Sequence, residues 1–158
     1  MVAGVVVLGS VTQSDAANGD AYSTSQEIGG TTLNGFTTVA RRKLPVGTYA
    51  VTTTGVIRND TTTSSAYVSC DLSSGAGVTS YVTSSEMVVP IALSPGVPGG
   101  GTWAITTTVE VSPSAPNGGG NLSVVCGNFG PAADGEVEAW FPNIVAIKVR
   151  KDFHKTEP

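Results

Sequence analysis

The sequence predicts an all-β fold, an antiparallel sandwich or closed barrel, on three observations. Apolar and polar residues alternate through one segment after another, as in TWAITTTVEV at 102–111, and period 2 is the mark of a half-buried strand. No 3.6-residue apolar period persists for three turns, so no long helix is expected. Gly/Pro turns break the apolar segments at intervals of roughly 8–12 residues, the spacing typical of sandwiches and barrels. Composition agrees with this pattern. Thr and Val are abundant, and β-branched side chains fit a pleated surface better than a helix. Charged residues make up 13% of the chain and apolar ones 40%, the reverse of the balance that keeps a chain disordered.

The elements follow in order. The opening MVAGVVVLGSV is apolar on both faces, with Val2, Val6 and Leu8 on one and Val5, Val7 and Val11 on the other. It lacks the positively charged start of a secretory signal and is far shorter than a membrane span. It is therefore read as a strand buried on two sides, carried on a polar stretch at 12–34 that reaches away from the domain. Phe36–Leu44 is the first core strand, and Pro45-Val46-Gly47 turns the chain into Thr48–Arg58, with Tyr49, Val51 and Ile57 on one face. Ser65–Leu72 places Ala66, Val68, Cys70 and Leu72 together, and a short Val78–Thr83 follows. Met87–Leu93 aligns Met87, Val89, Ile91 and Leu93, with Pro90 marking an edge. After a Gly/Pro loop, Thr102–Val111 aligns Trp103, Ile105, Val109 and Val111. Asn121–Cys126 aligns Leu122, Val124 and Cys126. Glu136–Phe141, broken by Pro142, turns Val137, Ala139 and Phe141 inward, and Asn143–Lys151 does the same with Val145, Ile147 and Val149. The expected organisation is an arm at 1–35, a single sandwich domain at 36–151 and a short tail at 152–158.

Little in the chain points to catalysis. The one histidine, His154, stands four residues from the last, where no neighbour would hold an imidazole for a Ser-His-Asp or Cys-His arrangement. Glu136 and Glu138 share a strand face, but a solvated pair does not supply the buried carboxyl that general-acid chemistry needs. GVPGGG and NGGG join strands rather than open helices, so they do not cradle phosphate. Asp15, Asn18 and Asp20 lack the EF-hand spacing, and a plain turn is expected there. No metal and no cofactor is expected, and the chain is read as no enzyme. A net charge of −4 argues against a nucleic-acid partner, and the absence of a long apolar run argues against a membrane one.

Cys70 and Cys126 fall on the core faces of their strands. They read as a disulfide or as two buried thiols, and the matching faces favour the bridge. By parity Trp140 stands outward with Glu138, as an interface aromatic would; a bulge at Pro142 would instead turn it inward. Basic residues gather at Arg41, Arg42 and Lys43, and again at Lys148, Arg150, Lys151 and Lys155.

The segments LPVGTYAVTTTGVIRND, AYVSCDL, LSVVCGNF and NIVAIKVR together resemble a family of actinobacterial and actinophage β-sandwich domains. In those domains an LP-x-G-x-Y-x-V strand precedes two Cys-bearing strands, and the last strand reads close to AIKV. They look like the jelly rolls of the tumour-necrosis-factor and complement-globular-head group, which are commonly homotrimers. The resemblance covers about residues 40–150 and implies a scaffold rather than a chemistry. It implies an antiparallel jelly roll of about eight strands, a homotrimer, and pairing of the first and last core strands. That pairing would merge the two basic clusters into one positive edge. With the unpartnered N-terminal strand, it points to a non-enzymatic virion protein: a decoration protein attached to the major capsid protein of a tailed phage. The alternative is a secreted or surface-displayed module that binds a carbohydrate or receptor through its long loops, Phe129 included.

Overall fold

The computed structural model describes residues 21–25, 30–80, 84–94, 96–132 and 136–149, which form two antiparallel sheets packed as a β-sandwich. The strands are β1 (Ala21–Ser25), β2 (Thr31–Thr32), β3 (Thr37–Pro45), β4 (Gly47–Asn59) and β5 (Ala66–Ser74). They continue with β6 (Val78–Ser80), β7 (Ser84–Val89), β8 (Gly99–Val111), β9 (Gly119–Asn128) and β10 (Val137–Val149). The larger sheet has the order β1-β10-β4-β8-β6, with β2 also on β10; the smaller has the order β3-β9-β5-β7. From β3 to β10 the chain changes sheet at every connection.

Alternation builds this arrangement directly. β4 and β8 bury every second side chain along most of their length and pair over thirteen positions, from Gly47↔Val111 to Asn59↔Gly99. The inward set is Tyr49, Val51, Ile57, Trp103, Ile105, Val109 and Val111, all buried. They meet Val68, Leu72, Leu122 and Val124 of the smaller sheet in one core. Trp103, the largest core side chain, lies across its strand partner Gly55, where a Cβ would come within 2.5 Å of the indole Nε1. Only glycine leaves room there. At the end of β4, buried Asn59 donates through Nδ2 to the carbonyls of Ser64 (2.9 Å) and Pro90 (3.1 Å) and accepts the Thr61 N–H. One amide thereby joins the β4–β5 turn to the end of β7.

Three expectations need correction. The strand expected at Met87–Leu93 ends at Val89, because Pro90 supplies no ladder N–H; Ile91 and Leu93 are exposed. The two expected segments around Pro142 are one strand, β10, whose register against β4 shifts between Trp140 and Asn143. Phe141 occupies that bulge with φ +51° and is 55% exposed, not inward. The extra residue reverses the parity of everything after it. Ile144 and Ala146 are therefore the buried residues, while Ile147 and Val149 face solvent. Finally, the expected arm at 1–35 contributes to the sandwich: β1 and β2 pair with β10, and Leu33 is fully buried.

Candidate binding surfaces

The outer face of the larger sheet is built by the polar half of the alternation. Register places its side chains in rows: Trp140–Val56–Thr102, Asn143–Thr54–Ala104, Val145–Thr52–Thr106 and Ile147–Ala50–Thr108. Ala21 and Ser23 of β1 extend the last two rows beside Ile147 and Val145. None of these positions carries a charge. Charged side chains bound the face at its two ends, Glu138 and Arg58 at one and Glu110 at the other. At its centre the hydroxyls of Thr52 and Thr106 meet at 3.4 Å.

Trp140 stands outward on this face, half-buried. Both expectations for it meet here: the bulge exists, but it displaces Phe141 and leaves Trp140 pointing out. The indole Nε1 donates to Glu138 Oε2 at 2.8 Å, and the Arg58 guanidinium lies 5.4 Å from the ring centroid. Asp60 in turn holds Arg58 at 2.8 Å. Glu138 is thus committed to positioning an aromatic ring.

The outer face of the smaller sheet carries a different pattern. Phe36, just before β3, and Phe129, just after β9, meet edge-on with ring centroids 5.3 Å apart. The Phe129 N–H donates to the Tyr67 carbonyl on β5, and Tyr67 pairs with Val88 on β7. Four exposed apolar side chains therefore form a row across the whole width of the sheet, Phe36 and Val88 being 69% and 68% exposed. Beside the row, the Tyr67 hydroxyl donates to Glu86 Oε2, and that hydrogen bond raises the phenol pKa. Asp71 lies on a neighbouring diagonal; partial burial, and next the Glu86 charge, push its carboxyl above the usual range.

The expected pairing of the first and last core strands is not formed: β3 belongs to the smaller sheet and pairs with β9, whereas β10 belongs to the larger. Arg41 and Lys43 face outward and, with Arg42, Asn121 and Ser123, line an open groove of about 260 Å³. Arg42 turns toward β1, its guanidinium 5.4 Å from the Tyr22 ring. Lys148 sits beside Gly47, where a Cβ would come 2.8 Å from its Cε. Arg150 and Lys151 lie outside the described residues, as do His154, Asp15, Asn18, Asp20 and the apolar set Val2, Val5, Val6, Val7, Leu8 and Val11.

Cys70 and Cys126 are joined as a disulfide. They are direct cross-strand partners of β5 and β9, with Cα atoms 4.1 Å apart, close to the spacing of a non-hydrogen-bonded antiparallel pair. Among the described residues no three His, Cys, Asp or Glu gather closely enough to hold a metal ion.

Sequence reasoning named Phe129 but missed Phe36, Tyr67, Val88 and the exposure of Phe141. One signal was available: Phe36 and Phe129 both sit in Asn/Gly turns (NGF at 34–36, GNFG at 127–130), where no strand partner covers a ring. No protein-family model, curated protein or solved structure matches the chain.

Proposed function

We propose that the protein is a non-enzymatic structural protein, a jelly-roll sandwich that works as a homotrimer and decorates the capsid of a tailed phage. The observation that carries the reading is that, among the described residues, the four central rows of the larger sheet's outer face carry no charge. A molecule of net charge −4 is weakly repelled by its own copies, and the four central rows of this face let a copy approach without meeting a like charge. The jelly-roll reading is supported by the strand order, because the chain crosses between sheets at each step from β3 to β10. The virion reading is supported by the resemblance given above and by the apolar opening segment, which adds to a sheet of the major capsid protein. A disulfide fits a protein that persists outside a cell, as a virion does. Removing residues 1–12 tests the anchoring. The truncated protein is expected to keep its melting temperature and to lose attachment to undecorated capsids; attachment equal to that of the full chain would sink the arm as anchor.

A second reading, a secreted or surface-displayed module that binds carbohydrate, is favoured by one observation: the exposed row Phe36–Phe129–Tyr67–Val88. A ring of neutral sugar offers C–H groups to such a row and hydroxyl donors to Glu86 and Asp71 beside it. On this reading a neutral polysaccharide retards the protein in affinity electrophoresis, and Phe36→Ala with Phe129→Ala removes the retardation. Equal mobility with and without polysaccharide, across a panel of neutral glycans, would dismiss it.

A further inference from the structure

Among the described residues two asparagines precede a glycine, Asn34 and Asn117. Both are exposed, and neither side-chain amide has a hydrogen-bond partner among the described residues. The other described asparagines are engaged or enclosed. Buried Asn59 donates to the carbonyls of Ser64 and Pro90, and Asn128 donates to the Ala132 carbonyl while accepting the Gly130 N–H. Asn143 has its Oδ1 buried, and Asn121 is held in β9 opposite Lys43. The difference matters because an asparagine before glycine is open to attack by the glycine's own backbone nitrogen, which no Cβ shields. The two open sites also differ from each other. Asn117 (φ 55°, ψ 32°) and Gly118 (φ 67°) form the centre of a tight turn closed by the Gly119 N–H on the Pro116 carbonyl. At that ψ the Gly118 nitrogen lies nearly opposite the Asn117 Cβ across the Cα–C bond, so the two groups meet only after the turn opens. Asn34 has no positive φ, and nothing lies within 4 Å of where a Gly35 Cβ would stand. The Thr37 hydroxyl accepts the Asn34 N–H at 3.2 Å and donates to the Asn34 carbonyl at 3.3 Å. That donation draws electron density from the Asn34–Gly35 peptide and eases loss of the Gly35 amide proton.

We propose that Asn34 is a self-modification site, converted to aspartate and isoaspartate by attack of the Gly35 backbone nitrogen, at the start of the exposed row Phe36–Phe129–Tyr67–Val88. The Gly35 nitrogen gives its proton to hydroxide and bonds to Asn34 Cγ. The Cγ–Nδ2 bond then breaks, and Nδ2 takes a proton from water and leaves as ammonia. Water opens the resulting five-membered imide. Cleavage at Cγ gives aspartate, and cleavage at the main-chain carbonyl gives isoaspartate, whose backbone runs through the side chain. Water is the only co-reactant consumed, and nothing is oxidised or reduced. Either product places a carboxylate two residues before Phe36, and isoaspartate also lengthens the main chain there by one carbon. Phe36 is 69% exposed and its ring meets Phe129 at 5.3 Å, so a displaced backbone separates the two rings. The reaction thus alters the row itself, and its chemistry depends on neither reading given above.

Peptide mapping by mass spectrometry tests this on the full chain, folded and urea-unfolded, incubated for days at neutral and mildly alkaline pH. An enzyme that methylates isoaspartate identifies that product. In the folded protein Asn34 is expected to convert ahead of every other described asparagine. Its rate is expected to rise about tenfold per pH unit, because the reacting amide anion is a minor species whose population follows pH. Asn117 is expected to convert at least about tenfold more slowly than Asn34, since its turn must open first. In urea the two Asn-Gly pairs are expected to react at similar rates, because neither the turn nor the Thr37 contact remains. Asn34→Gln is expected to stop the conversion at 34 and to leave the melting temperature unchanged, as an exposed substitution does. Folded protein whose Asn34 stays intact over the time in which the unfolded chain converts there overturns the proposal. Folded protein in which Asn117 reacts as fast as Asn34 overturns it as well, and so does a mass gain that persists in the same peptide of Asn34→Gln.

Discussion

Replacing Cys70 and Cys126 together by serine is expected to cost about 4 kcal/mol of stability. The bridge spans 56 residues of sequence, and closing a loop of that length removes roughly this much free energy from the unfolded chain. At about 2–4 °C per kcal/mol for a chain of this size, the melting temperature falls by about 8–16 °C. Position adds to the effect. Both cysteines are fully buried, on strands β5 and β9 that form the middle of the smaller sheet. Serine there exchanges a sulfur for a hydroxyl facing Val68, Leu72 and Val124, and a buried hydroxyl without a partner is penalised further. A melt of wild type with and without reductant, beside the double variant, separates the two contributions. Reductant alone is expected to give most of the fall. Identical melts in all three would mean that the two sulfurs are not bonded in the folded protein.

Thr106→Glu is expected to abolish self-assembly while leaving the monomer folded. Thr106 lies at the centre of the larger sheet's outer face, exposed, with its hydroxyl 3.4 Å from that of Thr52. An exposed change of this kind shifts monomer stability by about 0.5 kcal/mol or less. In an assembly, however, each copy brings its own carboxylate to a face with no described cation in the four central rows. Like charges brought together in an interface cost several kcal/mol, so the dissociation constant rises by about 100-fold or more. Ser73→Glu, on the outer face of the smaller sheet, adds the same charge and leaves assembly intact. Equal loss from both variants would mean that net charge, not the face, controls association.

Much of the sandwich was legible because its two longest paired strands are simple. In β4 and β8 inward and outward positions alternate without interruption over most of their length, and every inward residue read from the pattern is buried. The matched faces of Cys70 and Cys126 were legible on the same ground, but their direct pairing depends on a register that no single strand encodes. β10 misled because parity carries information only while the count is unbroken. One bulged residue at Phe141 moved Ile147 and Val149 from core to surface, and Pro142 hinted at an interruption without giving its phase. β1 escaped because an edge strand such as AYSTS buries few side chains, and little apolar pattern is needed for that. The candidate surfaces were the least legible. Phe36, Tyr67, Val88 and Phe129 come from four separate strands or strand ends and become a row only through the sheet order β3-β9-β5-β7. The placement of β3 and β10 in different sheets has the same origin, since which sheet receives each strand is a property of topology rather than of either segment.

The mass of the native particle tests the central claim most directly. Light scattering on the eluting peak of wild-type protein, at micromolar concentration and physiological salt, is expected to give three times the 15.9 kDa of the chain, and Thr106→Glu to give the single-chain mass. A wild-type particle of 15.9 kDa across that range would contradict the account, because the charge-free sheet face would then cover nothing in a second copy.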